Sequence, residues 1–188
     1  MNKKKFSSKD IALTGILTAI AIVLQLLSNI IPTTVNINLS LIPIVLGALL
    51  LGPIAGAFLG LVNGVIILLS PNTVSVFIAI SPFGTILTCL TKTTVAGLVA
   101  GFIAKGLRNK NDVLASVLAS IVVPVINTGM FIIYTIIFFK EGLGLPTIGS
   151  ILTAFIGINF IFEIVSTLIL GPSLYKIAGH VSSHSHTK

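Results

Sequence analysis

Between Leu39 and Thr91 the chain carries no charged side chain. A soluble helix or strand presents a solvated face, and a run of this length offers none. Further uncharged stretches cover Ile11 to Ile31, Thr93 to Ala104, Val113 to Phe139 and Leu143 to Phe162. Most are as long as the roughly 20 apolar residues a helix needs to cross hydrocarbon. Charged residues make up 8% of the chain and hydrophobic ones 55%. Soluble domains carry about 25% charged residues, and a chain of 188 residues cannot hide this much apolar surface in one core.

Lipid supplies no hydrogen bonds, so each span must satisfy its own backbone, which favours helices. The apolar runs are continuous and lack the in/out alternation of a membrane β-barrel. The expected fold is an all-α membrane protein with six transmembrane helices. They run over about 10–31, 39–51, 54–69, 83–104, 112–139 and 147–175. Residues 1–177 form one domain, followed by a polar cytoplasmic tail over 178–188. Gly52-Pro53 marks a tight turn between the second and third helices. Pro124 is expected to kink the fifth, and Gly171-Pro172 to interrupt the sixth. Between Ser70 and Ser81 lies a loop whose apolar part, Val74 to Ile80, suits a surface or re-entrant piece. The first span is longer than the apolar region of a cleavable signal, and no small-residue cleavage signal follows it.

The net charge of +7 would suggest nucleic-acid binding in a soluble protein. Here it reads as topology, with no nucleic-acid partner. With the N-terminus inside, Lys3, Lys4, Lys5, Lys9, Lys105, Arg108, Lys110, Lys176 and Lys188 are all cytoplasmic. Only Lys140 lies outside, beside Glu141. This matches the positive-inside rule and places both termini in the cytoplasm of a multi-pass plasma-membrane protein.

Two charges remain within the spans, Lys92 and Glu163. Intramembrane charges are costly and mark functional sites. Lys92 precedes Lys105 by thirteen residues, and Glu163 precedes Lys176 by thirteen. At about 1.5 Å per residue both start roughly 20 Å from the cytoplasmic edge. They are therefore expected either to pair or to flank one polar cavity. Thr88, Thr91, Thr94, Asn127 and Thr128 gather near this level, with Tyr134 further out. Asn159 shares a face with Glu163, and Asn63 lies in the third helix. Helix–helix hydrogen bonding explains any single amide equally well. Together they describe a pocket opening outward under the loop bearing Asn36 and Asn38.

Ala12, Gly15, Ala19 and Ala21 are small residues of the first helix, and Gly15 and Ala19 make a small-xxx-small pair. Internal packing and partner docking both account for it. Cys89 lies in an apolar stretch and reads as filler. His180, His184 and His186 sit in a serine-rich tail, so no metal site is expected. No histidine lies within the spans to serve a zinc site or a nucleophile, and no phosphate-binding glycine loop with its lysine is present. Neither an enzyme activity nor a resident cofactor is expected.

The short second helix reads Leu41-Ile42-Pro43-Ile44-Val45-Leu46-Gly47-Ala48-Leu49-Leu50-Leu51. It ends in Gly52-Pro53, followed by Ile54-Ala55-Gly56-Ala57-Phe58-Leu59-Gly60. Over about residues 10–177 the chain resembles the S components of energy-coupling factor (ECF) transporters. Ile126-Asn127-Thr128-Gly129-Met130-Phe131 and Val95-Ala96-Gly97-Leu98-Val99-Ala100-Gly101 are most similar to the pantothenate-type branch. The resemblance implies a subunit that binds a vitamin outside and docks on a transmembrane coupling protein and two ATPases. The family's alanine-rich docking motif is reduced here to Gly15 and Ala19, with Ala12 alongside.

In that reading Lys92, Asn127, Asn159, Glu163, Thr91, Thr128, Asn63, Asn36 and Asn38 are the candidate substrate-binding residues. Lys92 suits the carboxylate of pantothenate, while Glu163 suits the basic nitrogen of a pyridine or pyrimidine vitamin. Riboflavin and folate are further alternatives. A different class, a stand-alone ion-coupled carrier, would use Lys92 and Glu163 as a proton relay. In a third class, an assembly scaffold, the polar groups merely hold helices together.

Overall fold

The computed structural model describes residues 7–30, 38–108, 110–155 and 158–184; the side chains of 30, 154, 155, 158, 159 and 177–184 lie outside that description. Every regular element among the described residues is helical. The helices are α1 (Ser8–Ile30), α2 (Leu41–Leu51), α3 (Pro53–Leu68), α4 (Pro82–Leu107), α5 (Asp112–Tyr134), α6 (Ile148–Phe155) and α7 (Ile158–His184). Two π-helical segments, Thr73–Ile78 and Thr135–Phe139, precede α4 and extend α5. Three helical stretches are long and apolar enough to cross a membrane: Ser8–Asn29, Pro82–Leu107 and Asp112–Phe139. Leu41–Leu51 and Pro53–Leu68 are apolar but shorter.

Local chemistry sets the helix ends. Ser7 and Asp10 exchange side-chain and backbone hydrogen bonds at the start of α1, as in a capping box. Ser81 Oγ accepts from the Gly84 N–H at the start of α4, and Asn111 Oδ1 accepts from the Leu114 N–H at the start of α5. Gly52 has φ 94°, open to glycine, and its N–H reaches back to the carbonyls of Gly47 and Ala48. Pro53 then starts α3. Three expectations shift. The segment before α4 is helical from 71 to 80. The last expected helix is described as α6 and α7. α7 runs through Pro172 to His184, past the expected end at 175.

At 11 residues, α2 is about 17 Å long, too short to span hydrocarbon. Every residue from Leu41 to Leu49 is buried. A helix that is apolar all round belongs inside, and α2 packs against α1, α3, α4, α5 and α7.

Glycines bring the backbones of α3 and α4 into contact. A Cβ on Gly60 would lie 2.1 Å from the Thr93 carbonyl oxygen, and one on Gly64 would lie 2.3 Å from that of Cys89. Gly56 and Gly97 face each other in the same way. Gly56, Gly60 and Gly64 repeat every four residues on α3 and meet Gly97, Thr93 and Cys89, which have the same spacing on α4, so one ridge on each helix lets the backbones touch. Thr93 Oγ1 donates to the Gly60 carbonyl at 2.6 Å, locking the register.

Replacing Gly60 with valine should therefore destabilise the protein by about 1–3 kcal/mol. A methyl group added at Gly15 would have no neighbouring atom within 4 Å, so Gly15→Ala should leave stability unchanged. Thermal unfolding of both variants in detergent checks the contrast.

Candidate functional site

At one end of the bundle a cavity of about 620 Å³ lies between α1, α3, α4, α5 and α7. That volume suits a small molecule. Lys92, Asn127, Thr128, Glu163 and Asn38 line it, so it gathers five of the residues expected at the site. The matched depth of Lys92 and Glu163 along their helices has brought both to one chamber.

The seam between α3 and α4 places Lys92. Its neighbour Thr93 is fully buried and bonded to Gly60 on α3. Lys92, the next position round the helix, faces the cavity. Its Nζ stands 4.9 Å from the centre of the Phe131 ring, in range of a cation–π interaction.

A proline places Glu163. Pro124 lies inside α5 and has no N–H to offer the Ser120 carbonyl one turn earlier. Thr167 on α7 supplies the missing donor. Its Oγ1 is 2.8 Å from the Ser120 carbonyl and 2.7 Å from that of Glu163, so one proton serves both. One turn along, Gly171 presses on Ser120, where a Cβ would meet Oγ at 2.4 Å. With α7 seated there, Glu163 comes against α5, and Thr128 Oγ1 donates to its Oε2 at 3.4 Å. Lys92 and Glu163 do not form a direct ion pair. Among the described residues the salt bridge is Arg108–Asp112, at 3.9 Å.

Other expected residues stand elsewhere. Thr91 Oγ1 donates to the Leu87 carbonyl at 2.6 Å and lies 3.0 Å from the Tyr134 hydroxyl, outside the cavity wall. Asn63 is fully buried behind the wall, with its Oδ1 2.6 Å from Ser40 Oγ. Ser40 also contacts Gln25 and Asn38. It has one proton for three amide oxygens, while the Asn63 nitrogen has no partner. Turning that amide over lets the nitrogen donate to Ser40. Asn36 lies outside the described residues, as does the side chain of Asn159 on α7. The side chains of His180 and His184, and all of His186, lie outside them too.

Sequence reasoning missed Gln25, Thr85, Phe77, Phe131 and Phe139 in the wall, and took Cys89 as filler although it also lines the cavity. Gln25 was findable as the sole glutamine of the chain, set in an apolar span. The phenylalanines carried no signal among so many apolar residues. They form a cluster, with Phe77 edge-on to Phe131 and Phe139 at 5.7 and 5.2 Å between centroids.

At the opposite end, Lys9, Lys105, Arg108, Lys110 and Lys176 are exposed. There Arg108 lies over the Tyr175 ring at 5.8 Å and the Tyr175 hydroxyl donates to Asp112 at 3.3 Å, tying the α4–α5 connection to α7. Ala12, Gly15 and Ala19 are exposed on α1. Gly15 also borders an apolar groove formed with Ile54, Ala55 and Phe58 of α3.

The family model for the ECF transporter substrate-specific component matches residues 9–175. The chain belongs to this family. No curated protein and no solved structure matches it. An S component is the substrate-binding part of a transporter, not an enzyme, and it works with an ECF module on a small-molecule substrate. Its apolar helices fit a membrane protein.

The seat of α7 is testable. Thr167→Val should strand the Ser120 carbonyl and cost about 1–3 kcal/mol. Pro124→Ala restores a helical N–H and should recover much of that loss in the double variant. A double-mutant cycle on thermal stability reads the coupling; additive effects would contradict the assignment.

Proposed function

We propose that this S component captures a B vitamin or vitamin precursor at the outer face of the plasma membrane. A transmembrane coupling protein and two ATPases then drive its uptake. The observation that carries the reading is the cavity itself. It holds an intramembrane lysine and glutamate that are not paired with each other, at the end away from the basic residues. A buried charge needs a partner, and a bound substrate supplies one.

The orientation follows from the same charges. With the basic end in the cytoplasm, the cavity lies on the outer side. The α6 and α7 segments together count as the sixth span, residues 1–177 form one membrane domain, and 178–188 are a cytoplasmic tail.

Pantothenate is the leading candidate ligand. Lys92 takes its carboxylate, while Asn127, Thr128 and Glu163 take its amide and hydroxyls. Lys92 and Glu163 form no direct ion pair, which leaves the lysine open to the carboxylate. The Phe77, Phe131 and Phe139 wall favours a second reading, a vitamin with an aromatic ring such as a pyridine, pyrimidine or flavin. Ala12, Gly15 and Ala19, exposed on α1, are the proposed docking positions for the coupling protein.

Calorimetric titration of purified protein with pantothenate, riboflavin, folate, thiamine and pyridoxine should find one tight ligand. Failure of every one to bind would overturn the proposal. Lys92→Ala should weaken an anionic ligand about tenfold or more, the worth of a hydrogen bond to a charged group. For topology, Cys89→Ala removes the native thiol. In that background, Lys110→Cys should react with an impermeant maleimide only in inverted vesicles, and Glu141→Cys only in intact cells.

A further inference from the structure

At the basic end, away from the cavity, α1 and α3 leave a groove of about 460 Å³ on the outside of the bundle. Ile11, Ile54 and Phe58 wall it and are 64%, 69% and 47% exposed, so the groove opens towards lipid. Gly15 keeps it open: a Cβ there would have no neighbouring atom within 4 Å. From Ile11 to Thr18 the groove follows α1 for about 10 Å. It therefore runs along the helix, the direction in which lipid chains lie.

The polar residues of the groove are Thr14 and Thr18. Thr14 Oγ1 donates to the Asp10 carbonyl at 2.7 Å, and Thr18 Oγ1 to the Thr14 carbonyl at 2.8 Å. Both protons are spent within α1, which leaves the groove without a free hydroxyl donor for a polar occupant. A hydrocarbon chain asks for none.

The mouth of the groove carries a charge. Lys9 is exposed on α1, two residues before Ile11. The neighbouring carboxylate, Asp10, accepts from the Ser7 N–H at 3.0 Å. Among the described residues the salt bridge is Arg108–Asp112, so Lys9 belongs to no ion pair there. A lysine near a helix end lays its stem along apolar surface and carries its ammonium to the headgroup level. An apolar channel with one uncommitted cation at its mouth has the two chemistries of an anionic phospholipid, in the same order.

We propose that this groove binds one anionic phospholipid, with an acyl chain between α1 and α3 and the phosphate at Lys9. The site belongs to the subunit free of its partners, since Gly15 is also a proposed docking position. A zwitterionic phospholipid offers the same chain without the net negative charge, so Lys9 sets the preference between the two.

Native mass spectrometry of the full chain tests this, with phosphatidylglycerol or phosphatidylcholine of identical chains titrated into the detergent. One phosphatidylglycerol should bind about fivefold more tightly than phosphatidylcholine, the worth of one lysine at a charged membrane surface. Lys9→Gln should abolish that preference. Lys110→Gln, at the same end but on the α4–α5 connection, should keep it. Equal affinities, or a preference that survives Lys9→Gln, would overturn the inference. A preference lost equally with Lys110→Gln would assign it to the basic end at large and overturn the site.

Gly15→Leu fills the groove from open space, so the protein should melt as before while the first bound molecule of either lipid is lost. Lipid retained by this variant would place it elsewhere and overturn the inference. A phosphatidylglycerol with a photoreactive group on its acyl chain gives a readout that needs no substitution. Its crosslinks should fall within residues 11–18 and 54–58; crosslinks confined to other helices would overturn the site. A dimer that Gly15→Leu abolishes would give the groove to a second copy of this chain instead.

Discussion

A carbonyl facing hydrocarbon has no water to bond, and Ser120 shows how this protein meets that condition. Pro124 removes the N–H that would have served it, and Thr167 of a neighbouring helix provides the replacement. The same constraint shapes the rest of the bundle. Threonines along α1, α4 and α5 return their protons to carbonyls one turn earlier. The short α2 hides its ends in the Gly52 turn and in the contacts of Ser40. A break in a helix is tolerated where another helix closes it, so each break fixes which helices are neighbours.

Those closures also build the cavity. Apolar helices gain little from hiding from lipid, which is as apolar as they are, so close van der Waals contact has to hold them. The glycines of α3 and α4 permit backbone contact, and Thr93 sets the register that turns Lys92 inward. The Thr167–Ser120 contact and Gly171 do the same for α7 and Glu163. Two charges that lipid would reject are thus carried on helices anchored one turn or less from each charge. Anchoring of this kind holds Lys92 and Glu163 on separate helices with no direct ion pair between them. A subunit that must accept a small molecule and later release it needs polar groups that are held but not already paired.

The amino-acid sequence by itself determined the membrane character, the helical class, the family resemblance and the presence of two charges within apolar helices. Each rests on composition, run length or spacing, which survive without knowledge of contacts. The thirteen-residue offsets of Lys92 and Glu163 from the basic residues even placed both at one depth, because rise per residue is constant along a helix. Only the tertiary structure decided which polar groups share the chamber. Thr91 and Thr128 look alike in sequence, yet Thr91 turns to Tyr134 and Thr128 to Glu163. Asn63 and Asn127 are both buried amides, yet one meets Ser40 behind the wall and the other lines the cavity. The rotation of each helix about its axis makes these choices, and that rotation comes from long-range contacts such as Gly60 with Thr93 and Thr167 with Ser120. The uncharged run from Leu39 to Thr91 dictated that this segment be buried in lipid or protein. Packing alone determined that α2 would lie inside the protein, at the centre of the bundle.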